Sequence, residues 1–272
     1  MISQAVASRN STRHFLPRKV PQSLILEILD KAKCAPSGGN LQPWNVYIVI
    51  DETRDMLVKY IEEYLSKGKL PTGSEYHIYP PTIKKMPVYE KRREDCNNKM
   101  YGLLGIARND RMAKLQHVNK NWTFFGAPLG DCFLLFHMHM QYNVYLFVTL
   151  KLVCNWTAIL GLIFTIDKQM QVGQFADLGI FMQTIMLLCH EYGLNTCSQE
   201  SWALFSGVLK QLLNIPDNEL VFCGMSIGYA DPDKPVNSLK TDRASLKEFV
   251  FIPTAQQIQQ NITKMKSTPS KL

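Results

Sequence analysis

Arg9, Ser11 and Arg13 stand at every second position near the start of the chain. In an extended segment they project to one side and can clasp one anion together. Arginine suits phosphate because its planar fork donates paired, charge-assisted hydrogen bonds. The plain alternative is a solvated basic N-terminus. A second stretch with chemical potential is Ala35-Pro36-Ser37-Gly38-Gly39-Asn40-Leu41-Gln42-Pro43-Trp44. Two adjacent glycines let the backbone approach something flat or bulky, while Ser37, Asn40 and Gln42 supply polar side chains. Pro36 and Pro43 stiffen its ends, and Trp44 offers an aromatic wall. The same composition also makes ordinary helix-to-strand connections.

Three further patterns invite chemistry and carry less of it. Thr196-Cys197-Ser198-Gln199-Glu200 holds a thiol, but the stretch contains no histidine base, so Cys197 is not read as a nucleophile. Gly224-Met225-Ser226-Ile227-Gly228 matches the Gly-x-Ser-x-Gly of hydrolases, which needs a strand, a sharp turn and then a helix. Asp231-Pro232-Asp233-Lys234-Pro235 forbids that helix, so the match reads as a glycine-rich core strand. His137 and His139 lack a third ligand, and no metal site is expected.

These residues need elements to position them. Pro21 opens a helix in which Leu24, Ile25, Ile28, Leu29 and Ala32 follow helical spacing, ending before Pro36. Residues 46–50 read as a strand and 53–66 as an amphipathic helix. Residues 70–100, with five prolines or glycines among tyrosines and lysines, read as a loop or a cover over the site. A helix is predicted from Met100 to about Leu115, and Asn121–Gly130 is predicted to begin a core strand that 161–167 continues. Gly173–Tyr192 reads as a long buried helix ended by Gly193, followed by a turn at 196–200.

Between the two halves of the predicted strand, residues 131–160 carry only Asp131 and Lys151 as formal charges. A membrane span is disfavoured because His137, His139, Gln141 and Asn143 interrupt it and charged anchors are missing. Gly130-Asp131 and Leu160-Gly161 can be encoded with splice donor and acceptor signals that excise the segment in frame and keep one glycine. The segment is therefore read as a retained intron or gene-model error; a genomic sequence without those signals would remove that reading.

At 272 residues, 46% hydrophobic and 19% charged, the composition is globular. A net charge of +7 comes without a basic stripe interleaved with aromatics, so no nucleic-acid partner is expected. Seven cysteines without Cys-x-x-Cys spacing argue against a disulfide framework and fit a reducing compartment.

Taken in order, several landmarks resemble the FMN-dependent nitroreductase family. They are Arg9-Asn10-Ser11-Thr12-Arg13-His14-Phe15, the Pro36–Trp44 block, Asp177-Leu178-Gly179, Gly193-Leu194-Asn195-Thr196-Cys197-Ser198-Gln199 and Arg243. The resemblance implies an α+β fold, a central, mainly antiparallel sheet wrapped by helices, and a homodimer with FMN at its interface. It implies that Arg9, Arg13 and Arg243 hold the FMN phosphate and that Ser11 and Asn40 meet the ribityl chain or ring edge. Pro36, Ser37, Gly38 and Gly39, with Cys197, Ser198 and Gln199, would flank the ring. Ser198 stands where other members commonly have proline.

The implied activity passes hydride from NADH or NADPH through flavin N5 to nitroaromatic or quinone-like acceptors by a ping-pong mechanism, with no catalytic side chain required. Two other outcomes stay open. One is reductive dehalogenation, as in the iodotyrosine deiodinases; Glu75 and Tyr79 have the spacing of their substrate clasp but not its distance from Gly39. The other is an inactive splice form or membrane-associated product that binds no flavin. A single domain is expected over 1–252, followed by a flexible tail over 253–272. That tail closes with Ser270-Lys271-Leu272, an address read by the peroxisomal import receptor. The expected location is peroxisomal, otherwise cytoplasmic.

Overall fold

The computed structural model describes residues 2–69, 71, 73–126 and 160–267. Most of the 131–160 segment, with His137 and His139, lies outside the described residues, as does Ser270-Lys271-Leu272.

Four strands form one antiparallel sheet: β1 (Asn45–Val49), β2 (Leu160–Asp167), β3 (Asn195–Gln199) and β4 (Glu219–Gly228), in the order β1-β2-β4-β3. β2 and β4 are the inner pair, with Leu162 opposite Met225 and Ile163 opposite Gly224. Both faces of this pair are covered, which is why their sequences run nearly unbroken in apolar residues. Side chains alternate between the two faces. Leu162, Phe164 and Ile166 enter one core layer, whereas Ile163 enters the other.

The first layer is closed by α2 (Gln22–Ala32), which buries Ile25, Ile28 and Ala32, as its spacing predicts, while α1 (Ile2–Ser8) leads the chain and buries none of its residues. The second layer is closed by α3 (Asp51–Ser66), which buries Leu57, Val58 and Ile61. Trp202 and Phe205 fill the same layer, with Phe124 stacked on Trp202 at 4.6 Å. These rings lie directly on strand backbone. A Cβ at Gly161 would meet Phe124 at 2.4 Å, and one at Gly224 would meet Trp202 at 2.2 Å.

Three predicted elements differ. Residues 121–126 are not strand: Lys120–Thr123 is a 3-10 turn, and Phe124 and Phe125 take φ of 53° and 56°. The Trp122 indole donates to Ser201 O at 2.9 Å and Phe124 folds back over Gly161, so local contacts outcompete extension. The described part of the predicted first half, 121–126, is therefore a turn, and the strand is β2 from Leu160. The loop expected through residue 100 gives way at Pro87 to α4 (Pro87–Leu103), where proline at the first helical position needs no hydrogen-bonded N–H. Gly105, at φ 68°, and the Asp110 cap then divide α4 from α5 (Arg111–Asn119), where one helix had been expected.

α6 (Val172–Glu191) is the predicted long helix, ended by Gly193 at φ 72°. By length and composition it could cross a membrane. One face instead buries Leu178, Phe181, Met182, Ile185 and Cys189, while Ile180 is exposed on another. The predicted turn at 196–200 is β3 running into a 3-10 turn, Glu200–Phe205, because Asn195–Gln199 pairs fully with β4. α7 (Ser206–Leu213) follows.

The chain divides into two compact units, residues 1–239 and 240–272. In the second, α8 (Leu246–Phe249) precedes Pro253, and α9 (Ala255–Ser267) lies where a loose tail was expected from Pro253 onward. Every residue from Ser245 to Lys266 is exposed.

Candidate active site

The N-terminal arginines are laid against the sheet. Thr12 N donates to Thr196 O at 3.0 Å, and Ser11 bridges Thr196 in parallel along the outer edge of β3. Thr12 is fully buried, so the extended backbone turns Ser11 and Arg13 the other way, as their alternation predicts. Asn237 fixes this segment. It accepts from Arg13 N at 2.9 Å, donates to His14 O at 2.7 Å, and takes the Asn10 amide on its own carbonyl at 2.6 Å. No sequence signal links Asn237 to residues so distant in the chain.

Positive charge gathers here. Arg13 and Arg9 both act on Cys197, whose thiol is hydrogen-bonded with Ser11. Burial pushes the thiol pKa up against these cations, so Cys197 is an inert strand residue. Arg13 and Lys120 also bear on His117, and Lys120 and Lys234 bear on His14. His117 is 5% exposed, and its Nδ1 has no partner among the described residues. Burial first, then Lys120 and Arg13, lowers its pKa to about 4.

The Gly-Gly loop is a short 3-10 turn, Gly38–Asn40, in which Gly39, Asn40 and Gln42 adopt φ of 58°, 57° and 48°. Its tie to α6 is Gly38 N, which donates to Asp177 Oδ2 at 3.1 Å. Ser37 Oγ accepts from Gln42 N at 3.0 Å. Pro36, Gly38, Gly39 and Asn40 remain exposed. Trp44 is not a wall of the site, because its ring stacks on Phe181 at 4.5 Å and joins the core.

β3 meets α6 elsewhere: Ser198 Oγ donates to Met186 Sδ at 3.9 Å. With a rise near 1.5 Å per residue, Asp177 and Met186 stand about 13 Å apart along α6. The two stretches predicted to flank one ring are thus held at separate points of one helix.

A cavity of about 650 Å³ opens beside β3, lined in part by Ser198, Gln199, Glu200, Met182, Met186 and Phe222. Gln199 does not offer its side chain to this space. Its amide is 2% exposed, donates to Asn121 O at 2.7 Å and accepts from Ser226 Oγ at 2.7 Å. Ser226 is itself fully buried in mid-strand, so the hydrolase-like pattern is a packing motif.

Ile78 and Tyr79 also border the cavity. Their segment is strapped down by Tyr76, whose hydroxyl donates to Phe222 O at 2.6 Å, and by Glu75, held by Ser206, Lys210 and Lys168 at 2.8–2.9 Å. Glu75 is therefore engaged and does not form a substrate clasp with Tyr79. Arg243 belongs to the second unit, where its guanidinium donates to Thr241 O at 3.0 Å.

Known proteins share this arrangement. The nitroreductase family model matches residues 6–100 and 140–229. The chain belongs to the nitroreductase family. The second match begins inside the segment read as an interruption, and Arg243 lies beyond it. A 4-nitrobenzoate reductase of Pseudomonas putida is 32% identical over 90% of this chain and 92% of its own. A nitrobenzene nitroreductase of Ectopseudomonas oleovorans is 29% identical over 91% of this chain and 95% of its own. Among solved structures, the FMN and NADPH-dependent nitroreductase NfnB from sphigopyxis sp. strain HMH superposes with a TM-score of 0.76 at 30% identity. That match covers 93% of this chain and 99% of NfnB. The α+β nitroreductase fold, with its antiparallel sheet, is thus the fold of this chain.

Proposed function

We propose that this nitroreductase is an FMN-dependent enzyme that takes hydride from NADH or NADPH and passes it to nitroaromatic or quinone-like acceptors. The observation that carries the reading is the path of β3. Within five residues the chain runs from Thr196 and Cys197, under Ser11, Arg9 and Arg13, to Ser198 and Gln199 at the end of β3 and Glu200 just beyond it, at the cavity. A cofactor with an anionic end and a flat apolar end needs that pairing of charge and cavity.

The residues present fit FMN. Arg9 and Arg13 would hold its phosphate, with Ser11 beside them. Thr196 Oγ1 and Ser201 Oγ are buried without partners among the described residues, one at each end of this path. When bound, the flavin supplies a ring nitrogen that accepts and returns hydride. The protein positions the ring along the β3 backbone, and Met182, Met186 and Phe222 keep water from it. Gln199 contributes only backbone, since its amide is engaged with Asn121 and Ser226.

The Gly-Gly loop enters this reading through a second copy. Its attachment at Asp177, about 13 Å along α6 from the Met186 that Ser198 meets, favours a homodimer in which the loop of one chain faces β3 of its partner. The relatives named for 4-nitrobenzoate and nitrobenzene support the acceptor class.

The first test is the visible spectrum of the purified full chain. The expected result is a bound FMN spectrum, with Arg13→Ala weakening FMN binding about tenfold to a hundredfold through lost charge-assisted hydrogen bonds. A chain that stays colourless after incubation with FMN overturns the reading.

A further inference from the structure

Glu200 opens the turn that follows β3 and faces the cavity beside Ser198. Around it the lining is largely apolar, with Met182, Met186, Leu204 and Phe222. The carboxylate of the neighbouring strap is held, Glu75 by Lys168 and Lys210. Glu200 differs. Among the described residues no cation or donor pairs with its half-buried carboxyl, and burial alone acts on it, holding its pKa above the usual carboxylate value.

Tyr79 borders the same cavity, with the Arg93 guanidinium 5.6 Å over its ring, and the titratable groups that act on Glu200 are Tyr76 of the strap and Cys223 of β4. Burial pushes both of these up, so both are neutral where Glu200 titrates, and neither supplies a countercharge. The lining that α6 presents is Gly179, Met182, Gln183 and Met186, none of them ionisable. A half-buried carboxyl that faces a largely apolar cavity with no cation paired to it has the surroundings of a general acid.

We propose that Glu200 donates the proton that accompanies hydride transfer to an acceptor bound in this cavity. This rests on the reductase reading above. Two-electron reduction of a nitro group takes one hydride and one proton. One N–O bond breaks, the departing oxygen leaves as water carrying both hydrogens, and a nitroso group remains. The hydride comes from NAD(P)H by way of the flavin and the proton from Glu200, which water then reprotonates. A quinone takes the same hydride and proton to become a hydroquinone.

The test compares the FMN-loaded full chain with its Glu200→Gln variant, using NADPH as donor and nitrobenzene as acceptor and timing each half-reaction separately. Reduction of the bound flavin should be unchanged. Its reoxidation by nitrobenzene should slow about a hundredfold or more. The wild-type reoxidation rate should fall as pH rises through the Glu200 pKa, whereas the variant stays flat and Glu200→Asp recovers part of the rate.

Infrared titration gives a readout independent of turnover: a protonated-carboxyl band persisting above the ordinary carboxylate range and absent from Glu200→Gln. If the wild-type chain shows no such band, the proposal fails. A yellow Glu200→Gln variant with the wild-type reoxidation rate and pH profile overturns the proton donor alone. A wild-type chain that takes up no FMN overturns the reductase reading and this proposal with it.

Discussion

At the scale of single residues, the basic end of the site is built at some expense to His117. Its folded pKa lies near 4, below the ordinary 6.5, so the folded chain binds its proton less readily than the unfolded chain does. The stability attached to this neutral imidazole is fully present above pH 6.5 and is lost as pH falls toward 4. Thermal unfolding should therefore show a loss of stability between pH 7 and 5 that is steeper in the wild type than in His117→Phe. One proton limits that difference to about 1.4 kcal/mol per pH unit. Equal slopes would show that His117 does not titrate as its burial dictates.

The alternation of Ser11 and Arg13 about buried Thr12 was legible in the sequence, whereas Arg9 follows α1 directly, its N–H donating to Ala5 O. Residue types were read poorly where a side chain finds a distant partner. Gln199 looks like a ligand in sequence and is a core amide in space; Trp44 looks like a wall and is a core ring. Asn237 carried no signal, because its function exists only once residues 10–14 lie beside it.

At the scale of elements, α6 does two things. One face closes the core through Leu178, Phe181, Met182, Ile185 and Cys189, whereas Ala176 and Ile180, which helical spacing also suggests as apolar contacts, are exposed. The other leaves Ile180 exposed, 43% accessible, on a helix whose composition is apolar enough for a membrane. In the proposed reading, a second copy of the chain covers this exposed face. Ile180→Asp should shift the chain toward monomer in sedimentation and reduce FMN retention in parallel. Unchanged dimer and flavin content would place the partner surface elsewhere. The elements misread from sequence were those set by capping and packing. Pro87 starts a helix inside what reads as a loop, Gly105 and Asp110 split one predicted helix into two, and Phe124 turns back over Gly161. Propensity and period contain none of these outcomes.

At the scale of the whole molecule, Phe124 and Gly161 lie in contact although the segment read as an interruption separates them in sequence. The chain thus leaves and returns at neighbouring points. Joining Leu129 directly to Gly161 keeps a leucine before the glycine that Phe124 covers, as Leu160 stands before it in the full chain. We therefore expect the shortened chain to fold and bind FMN at least as well as the full one, read from the flavin spectrum and thermal unfolding of both. A shortened chain that fails to fold would show the segment to be integral.

The fastening of residues 11 and 12 to Thr196 reaches beyond cofactor binding. β3 is a margin of the sheet, hydrogen-bonded to β4 on one side and met on the other by this N-terminal segment. The arm that would grip the phosphate is also the guard rail of an otherwise sticky border. Without that fastening, the peptide groups at Thr196 would be an open template for another strand.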